Sequence, residues 1–449
     1  MKDPVIVHLF TKATSYPKLP CAFGLSRIVM STVAMTDLNQ QVKARKLPAG
    51  FSMAGVTFVL AALSWIGPFS IDTYLPSLPF ISKDFHVPTG QVQQTMTAFM
   101  LFFAIMSIWH GAISDAYGRR RLTLISLSIF VAASAGCALS PGVHFLMFFR
   151  AVQGATAGAG MIVGRAVVRD LFEGPAAQRL MSHVATIFTI APVVAPVVGG
   201  WLQVWFGWRS VFAFMGVLSG FVLVSCLRAL PETLPVEKRQ RLQPAFLARS
   251  YWRVLTKPAF LMACGSMAFI SAGFFIYILS APIFLMKHLH LGATQFLWLF
   301  LPNSAAMVIG AWISGRCAGR ISGNQTIFAG YAVMTIAAIG NVLLNLLLPP
   351  MLPWSILPIF IYVIGMSIAT PSLTLLTLDL FPTQRGLTAS CQGFISLGAN
   401  SIVSAFVALV WGTPLSLACT ELTLLGLGVV TLLVYLKAMK RQNLVDGSQ

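Results

Sequence analysis

Charge is what this chain is short of. Only 9% of its 449 residues are Asp, Glu, Lys or Arg, against about a quarter in a soluble domain. Acids are the scarcer sign, 12 against 30 Lys and Arg. So little charge cannot cover a water-soluble fold of this length. With 57% hydrophobic residues, the composition marks a polytopic membrane protein. Cysteine is equally uninformative as a scaffold: the 7 cysteines are scattered singly, with no Cys-x-x-Cys and no Cys/His cluster. Neither a disulfide framework nor a metal site is expected. The clustered acids, bases, nucleophiles or metal ligands that an enzyme requires are missing from the apolar runs. No clean apolar stretch with a small-residue cleavage site marks a signal peptide. The net charge of +18 would suggest nucleic acid in a soluble protein. Here the basic residues fall almost wholly between apolar runs, where anionic lipid and topology account for them, and no nucleic-acid partner is expected.

What is abundant is the long apolar run. A spanning helix needs about 20 mostly apolar residues. Runs near 53–80, 91–113, 121–140, 143–166, 182–204, 208–230, 258–286, 293–315, 325–348, 353–378, 387–411 and 415–438 meet that requirement. The fold class expected is an all-α polytopic membrane protein of twelve transmembrane helices. Lys83, Arg209 and Lys287 fall on one side and Arg150 within a run; every other Lys and Arg falls on the opposite side. That bias places both termini in the cytoplasm. The chain then divides into a basic N-terminal segment (1–52), a six-helix bundle (53–230), a cytoplasmic linker (231–257), a second six-helix bundle (258–438) and a tail (439–449). Halves of nearly equal length point to duplication around a central cavity, a transporter plan. Met30 and Met35 closely precede the first run, and one of them is the expected start, with the residues before it an extension.

Charge inside a bilayer is costly and tends to be functional. Three residues qualify: Asp72, Arg150 and Glu421. Asp72, in Gly67-Pro-Phe-Ser-Ile-Asp72-Thr-Tyr-Leu-Pro76, lies toward the outer part of the first run. A carboxyl there exchanges its proton according to burial and nearby cations, which suits it to proton coupling. The alternative is an interfacial acid fixing a Pro-rich turn. Arg150 lies about 10 Å below the outer face at 1.5 Å per residue, a depth comparable to that of Asp72. The two are expected to face each other, directly or through water. Arginine keeps its charge, so it is the fixed partner and Asp72 the titrating one; the alternative is an arginine snorkelling to headgroups. Glu421, near the outer end of the last run, reads as an interfacial acid, with a second coupling site as the alternative. His110 and His183 read as interface residues near cytoplasmic helix ends. Phe274, Phe275, Tyr277, Trp298 and Asn303, with Tyr74 and Gln153, suit the mostly apolar wall of a drug-sized cavity.

Three local patterns carry more. Gly111-Ala-Ile-Ser-Asp115-Ala-Tyr-Gly118-Arg119-Arg120-Arg121 joins the second and third runs. Its glycines allow a tight turn. Asp115 can bridge to arginines or to a neighbouring helix end, a latch between helices; the alternative is a positively charged anchor loop. In the fifth run, Pro192 and Pro196 kink the helix, and Gly199 and Gly200 let a neighbour approach. Gly154, Gly158, Gly160 and Gly164 follow Arg150 at a spacing that suits close helix packing.

The first pattern resembles the signature loop of the major facilitator superfamily, with Ala116 where that family often has a basic residue. Arg150, Gln153 and Gly154 match its fourth-helix pattern R-x-x-Q-G. Ala191 to Gly200 is similar to its antiporter signature G-P-x-x-G-G, with Ala195 for the first glycine. More narrowly, Ile71-Asp72-Thr-Tyr-Leu-Pro-Ser-Leu-Pro and Leu230-Pro-Glu-Thr resemble the drug:proton antiporters of the Bcr/CflA group. The resemblance implies a bacterial inner-membrane multidrug exporter with chloramphenicol- or bicyclomycin-like substrates, Asp72 as proton site and Arg150 as its essential partner. The expected partners are a small-molecule substrate, protons and membrane lipid. The chain is expected to be a monomer, and the proton gradient, not a cofactor, its energy source. The rival reading is a proton-coupled transporter of one metabolite, such as a nucleoside or amino acid.

Overall fold

The computed structural model describes residues 52–172, 174–239 and 243–446. The expectations placed on the N-terminal segment, on Met30 and Met35, and on the end of the tail lie outside the described residues.

Twelve of the helices are long and apolar enough to cross a membrane, one for each predicted run. They are α1 (Met53–Asp72), α2 (Thr89–Tyr117), α3 (Arg119–Ala138), α4 (Val143–Leu171), α5 (Gly174–Phe206), α6 (Trp208–Ala229), α7 (Pro258–Ile283), α8 (Leu297–Cys317), α9 (Gly323–Leu347), α10 (Leu357–Asp379), α11 (Arg385–Phe406) and α12 (Pro414–Asp446). Local chemistry sets their starts. Ser52 accepts the Gly55 N–H at 3.1 Å and begins α1. Ser322 and Gln325 form a reciprocal capping box at α9, satisfying donors that a helix start leaves orphaned. Pro258 and Pro358 occupy first-turn positions, where a missing N–H costs nothing. Pro68, Pro192, Pro196, Pro282, Pro302 and Pro371 lie inside helices. Each removes one backbone hydrogen bond from its helix. Within α1, Ser64 Oγ back-bonds to the Leu60 carbonyl at 2.9 Å. Just after Pro282 the ladder slips into a π turn, Phe284–His288.

The chain beyond α1 does not leave the apolar layer. It passes through a 3-10 turn (Leu75–Ser77) and a short helix (Leu78–Asp84) before reaching the end of the first span. In the first half, α2 packs on α4, α3 on α4 and α6, and α1 on α5. In the second, α7 packs on α12, α9 on α10, and α8 on α10. The halves meet along α2–α11 and α5–α8. At the end that carries Asp84, side chains zip them together. Gln93 Nε2 donates to Ser404 Oγ at 3.2 Å, Gln94 Nε2 to the Ala405 carbonyl at 3.0 Å, and the Thr97 and Ser404 hydroxyls lie 3.0 Å apart.

At the opposite end lies a linker helix, Pro244–Leu255, packed on α11 and α7. Tyr251 faces inward and donates its hydroxyl to the Ile108 carbonyl of α2 at 2.9 Å, while Trp252 is 71% exposed on the other face. Burial pushes the Tyr251 hydroxyl up to about 12, so it remains a donor at physiological pH.

Candidate functional site

Arg150 is 1% exposed on α4. A buried guanidinium needs its charge answered, and aromatic faces do so here. Its carbon lies 4.2 Å from the Phe99 ring centre, 4.8 Å from Tyr74 and 6.0 Å from Phe212, within cation–π range. Nη1 donates to Gln153 Oε1 at 3.0 Å and Nη2 faces Met96 Sδ at 3.4 Å. Gln153 Nε2 passes the chain on to Ser134 Oγ at 2.8 Å. Tyr74 is fixed by its hydroxyl, 2.7 Å from Thr95 Oγ1. Gly154 makes this assembly compact: a Cβ there would overlap the Phe99 carbonyl. Gln153 and Tyr74 thus hold Arg150 in place, both buried, instead of lining an open cavity.

Asp72 is the last residue of α1 and is 6% exposed. The structure does not bring it into an ion pair with Arg150. Among the described residues neither Asp72, Arg150 nor Glu421 takes part in an ion pair. Tyr74, not Asp72, meets the guanidinium. The reason is rotational: residues two apart on a helical path point about 200° apart, so when Tyr74 faces α4, Asp72 faces away from it.

The other cavity candidates separate. Phe275 is half-buried on α7, beside Phe274, which packs on the core of the second half. Asn303 on α8 is 3% exposed, and neither its Oδ1 nor its Nδ2 has a partner. Trp298 is 50% exposed, on one helix stripe with Leu301, Val308 and Trp312. Spacings of three, seven and four residues put all of them on one outward face of α8, so Trp298 belongs to the lipid side. Tyr277 is 1% exposed and receives the Asn341 amide. Glu421 is not an interfacial acid, since it is 0% exposed and bonded to the same amide. His110 is also corrected: it is 1% exposed, not an interface residue. The side chain of His183 lies outside the described residues.

The signature between α2 and α3 is tighter than a loop. Gly118 alone joins the helices, with φ +104°, a left-handed conformation suited to glycine. Gly111 takes no part in the turn; it lies inside α2 with open space beside it. Arg119 pairs with Asp115, the turn before it, and donates through Nε to Asp170 of α4 at 3.2 Å and through Nη1 to Ser114 at 2.9 Å. Its backbone N–H donates to Glu232 at 2.9 Å, so an acid sits at the positive start of α3. Glu232 also meets Arg239 at 3.8 Å, and Thr233 donates to Asp170 at 2.9 Å. Arg120 reaches the Leu227 carbonyl of α6 at 2.8 Å. Asp170, Glu232 and Thr233 are not evident from sequence as members of this cluster, although Leu230-Pro-Glu-Thr is the signal for two of them. Asp170 is 24% exposed and Asp115 44% in their side chains. Asp170→Asn is therefore expected to destabilise the protein more than Asp115→Asn, whose exposed pair contributes about 0–1 kcal/mol. Arg119→Gln should cost most, about 3 kcal/mol, since it strands both acids. Thermal unfolding of the three purified variants checks that order.

In α5, Pro192 is half-buried and Pro196 buried. The two glycines beyond them serve different neighbours. A Cβ on Gly199 would overlap the Thr73 carbonyl, next to Asp72; one on Gly200 would overlap the Ala293 carbonyl of the second half.

Comparison with known proteins agrees with this architecture. A model of the Major Facilitator Superfamily matches residues 58–408. The uncharacterised MFS-type transporter YdgK of Bacillus subtilis is 32% identical over 366 residues, covering 81% of this chain and 90% of that protein. The bicyclomycin resistance protein homolog of Haemophilus influenzae is 26% identical, covering 78% of this chain and 87% of that protein. Multidrug resistance protein D of Escherichia coli is 27% identical, covering 83% and 93%. A solved bacterial homolog of the human lysosomal transporter Spinster, inward-facing and unoccupied, superimposes with a TM-score of 0.67 at 17% identity, covering 87% of this chain and 98% of that one. At that identity the likeness concerns the fold alone. Twelve helices in two six-helix halves, a family model spanning most of them and relatives of this kind make the chain a member of the major facilitator superfamily.

Proposed function

We propose that this chain is a proton-coupled exporter of small apolar or amphipathic drugs, chloramphenicol- and bicyclomycin-like molecules among them, working by alternating access in a bacterial inner membrane. Asp72 carries the reading. It is a carboxyl at 6% exposure with no hydrogen bond or ion pair among the described residues. Such a group is free to titrate as its surroundings change, which a structural acid locked in a salt bridge is not.

The bias of Lys and Arg puts the linker end and both termini in the cytoplasm. The form described, zipped at the Asp84 end, is then closed to the outside. Residues 53–230 and 258–438 are the two bodies that rock. The cluster of Asp115, Arg119, Asp170 and Glu232 holds α2, α3 and α4 to the start of the linker. Substrate enters from the cytoplasm or inner leaflet and meets a wall to which Phe275 and the unpartnered amide of Asn303 contribute; a proton taken up by Asp72 from outside resets the cycle. The relatives named for resistance to bicyclomycin and to multiple drugs support the substrate class. The energy source is the proton gradient, and a single chain suffices.

The test uses inside-out membrane vesicles carrying an imposed proton gradient. Adding chloramphenicol or ethidium should dissipate that gradient only in vesicles that contain the protein. Silence across a broad drug panel, with dissipation by one nucleoside or amino acid, would replace the drug reading with that of a dedicated metabolite transporter.

A further inference from the structure

Glu421 is 0% exposed on α12 and lies about 10 Å from the start of that helix at 1.5 Å per residue. Its Oε2 accepts Asn341 Nδ2 of α9 at 2.7 Å, while Oε1 has no partner. The same Nδ2 lies 2.7 Å from the Tyr277 hydroxyl of α7. Asn345 Nδ2 donates to Asn341 Oδ1 at 3.0 Å, which fixes the amide with both N–H bonds toward the acid and the phenol. The titratable neighbours are Tyr277, Tyr362 of α10, whose hydroxyl donates to the Ile270 carbonyl at 3.0 Å, and Cys419 on α12 itself. No Lys, Arg or His among the described residues pairs with Glu421.

This arrangement suits one occupant. A carboxylate anion stripped of water and held by one neutral hydrogen bond is not sustainable. A metal cation would meet the hydrogens of an amide here, not an oxygen cage. A proton on the free Oε1 answers the charge without further ligands. We propose that Glu421 is a second proton-carrying site, in the second half, which holds its proton in the closed form described here and exchanges it with water as the halves part. In that exchange the Oε1–H bond breaks, the proton passes to water, and the remaining carboxylate keeps the Asn341 N–H as its donor. The proposal rests on proton-coupled exchange as the chain's activity and adds a second carrier to Asp72.

The experiment is infrared spectroscopy of the purified protein in liposomes, titrated from neutral to alkaline pH in the Asp72→Asn background. A protonated-carboxyl band is expected at neutral pH, lost on raising the pH, and missing throughout that range from Glu421→Gln. That substitution keeps the side-chain length and the Asn341 bond. Tyr277→Phe, which removes the hydroxyl that shares the Asn341 amide with Glu421, should shift the pH at which the band is lost and leave the band in place. A band that persists in Glu421→Gln puts the proton elsewhere and overturns the proposal. A band unchanged across the titration makes Glu421 a permanently neutral packing group, and a band missing throughout makes it an anion; either result also overturns it. The spectra need no drug, so they read Glu421 even if the substrate assignment fails.

Discussion

Asp72→Asn is expected to abolish pH-driven drug accumulation in inside-out vesicles. Asn matches Asp in size and keeps a polar head at the same 6% exposure, so the change removes the exchangeable proton and little else. One charge crossing 100 mV is worth about 2.3 kcal/mol. At about 1.4 kcal/mol per tenfold, that sustains a drug gradient of roughly 50-fold with one proton per substrate. The variant should hold no gradient, while equilibrium binding of ethidium, followed by its fluorescence, stays close to the unaltered protein. Asp72→Glu should retain part of the gradient. Because no side chain among the described residues is bonded to Asp72, its loss strands no partner, and a fall in thermal stability is not expected. A drug gradient that survives Asp72→Asn would move coupling away from α1.

Gly199→Val and Gly200→Val should separate folding from gating. Both place a side chain against backbone, and overpacking of this kind costs about 1–3 kcal/mol or more. At Gly199 the obstructed carbonyl is Thr73, within the same half, so α1 and α5 cannot part without loss of the bundle. The expected result is a lower unfolding temperature. At Gly200 the obstructed carbonyl is Ala293, in the other half, and the halves can relieve the overlap by separating at the Asp84 end. Every 1.4 kcal/mol of strain then favours the open form about tenfold. A cysteine introduced as Gln94→Cys, where the native side chain bonds to Ala405 across the seam, should become reactive to a water-soluble thiol reagent at least that much faster. Unaltered labelling together with a fall in unfolding temperature like that of Gly199→Val would deny the Ala293 contact any part in gating.

The apolar runs locate all twelve helices because a bilayer leaves few other ways to satisfy a backbone. Their ends are less legible. The second run stops at 113, yet α2 continues to Tyr117; that extension shrinks the turn to Gly118 and leaves Gly111, already within the run, about two turns inside the helix. Gly118, Asp115 and Arg119 are readable because they are neighbours in sequence. Asp170 and Glu232 come from other parts of the chain and complete the cluster only in three dimensions. That Asp72 and Arg150 are buried is readable, but rotational phase is not. Two residues beyond Asp72 the sense of direction reverses, and Tyr74 takes the place expected of the acid. Glu421 is misleading for a related reason: nearness to a helix start suggests solvent, but side chains from α7, α9 and α10 close over it.

The single residue between α2 and α3 has a consequence for how this protein can change over generations. Each residue added to a helix rotates the remainder of that helix by about 100°. One inserted amino acid at 117–119 would therefore swing Arg119 away from Asp170 and carry the N–H of α3 off Glu232. Length at that junction is frozen, although the linker, whose own chain already runs through several turns before the next span, has room for insertion. Duplications, epitope tags and frame-preserving insertions should accumulate in the linker and be absent from the α2–α3 junction in any surviving library.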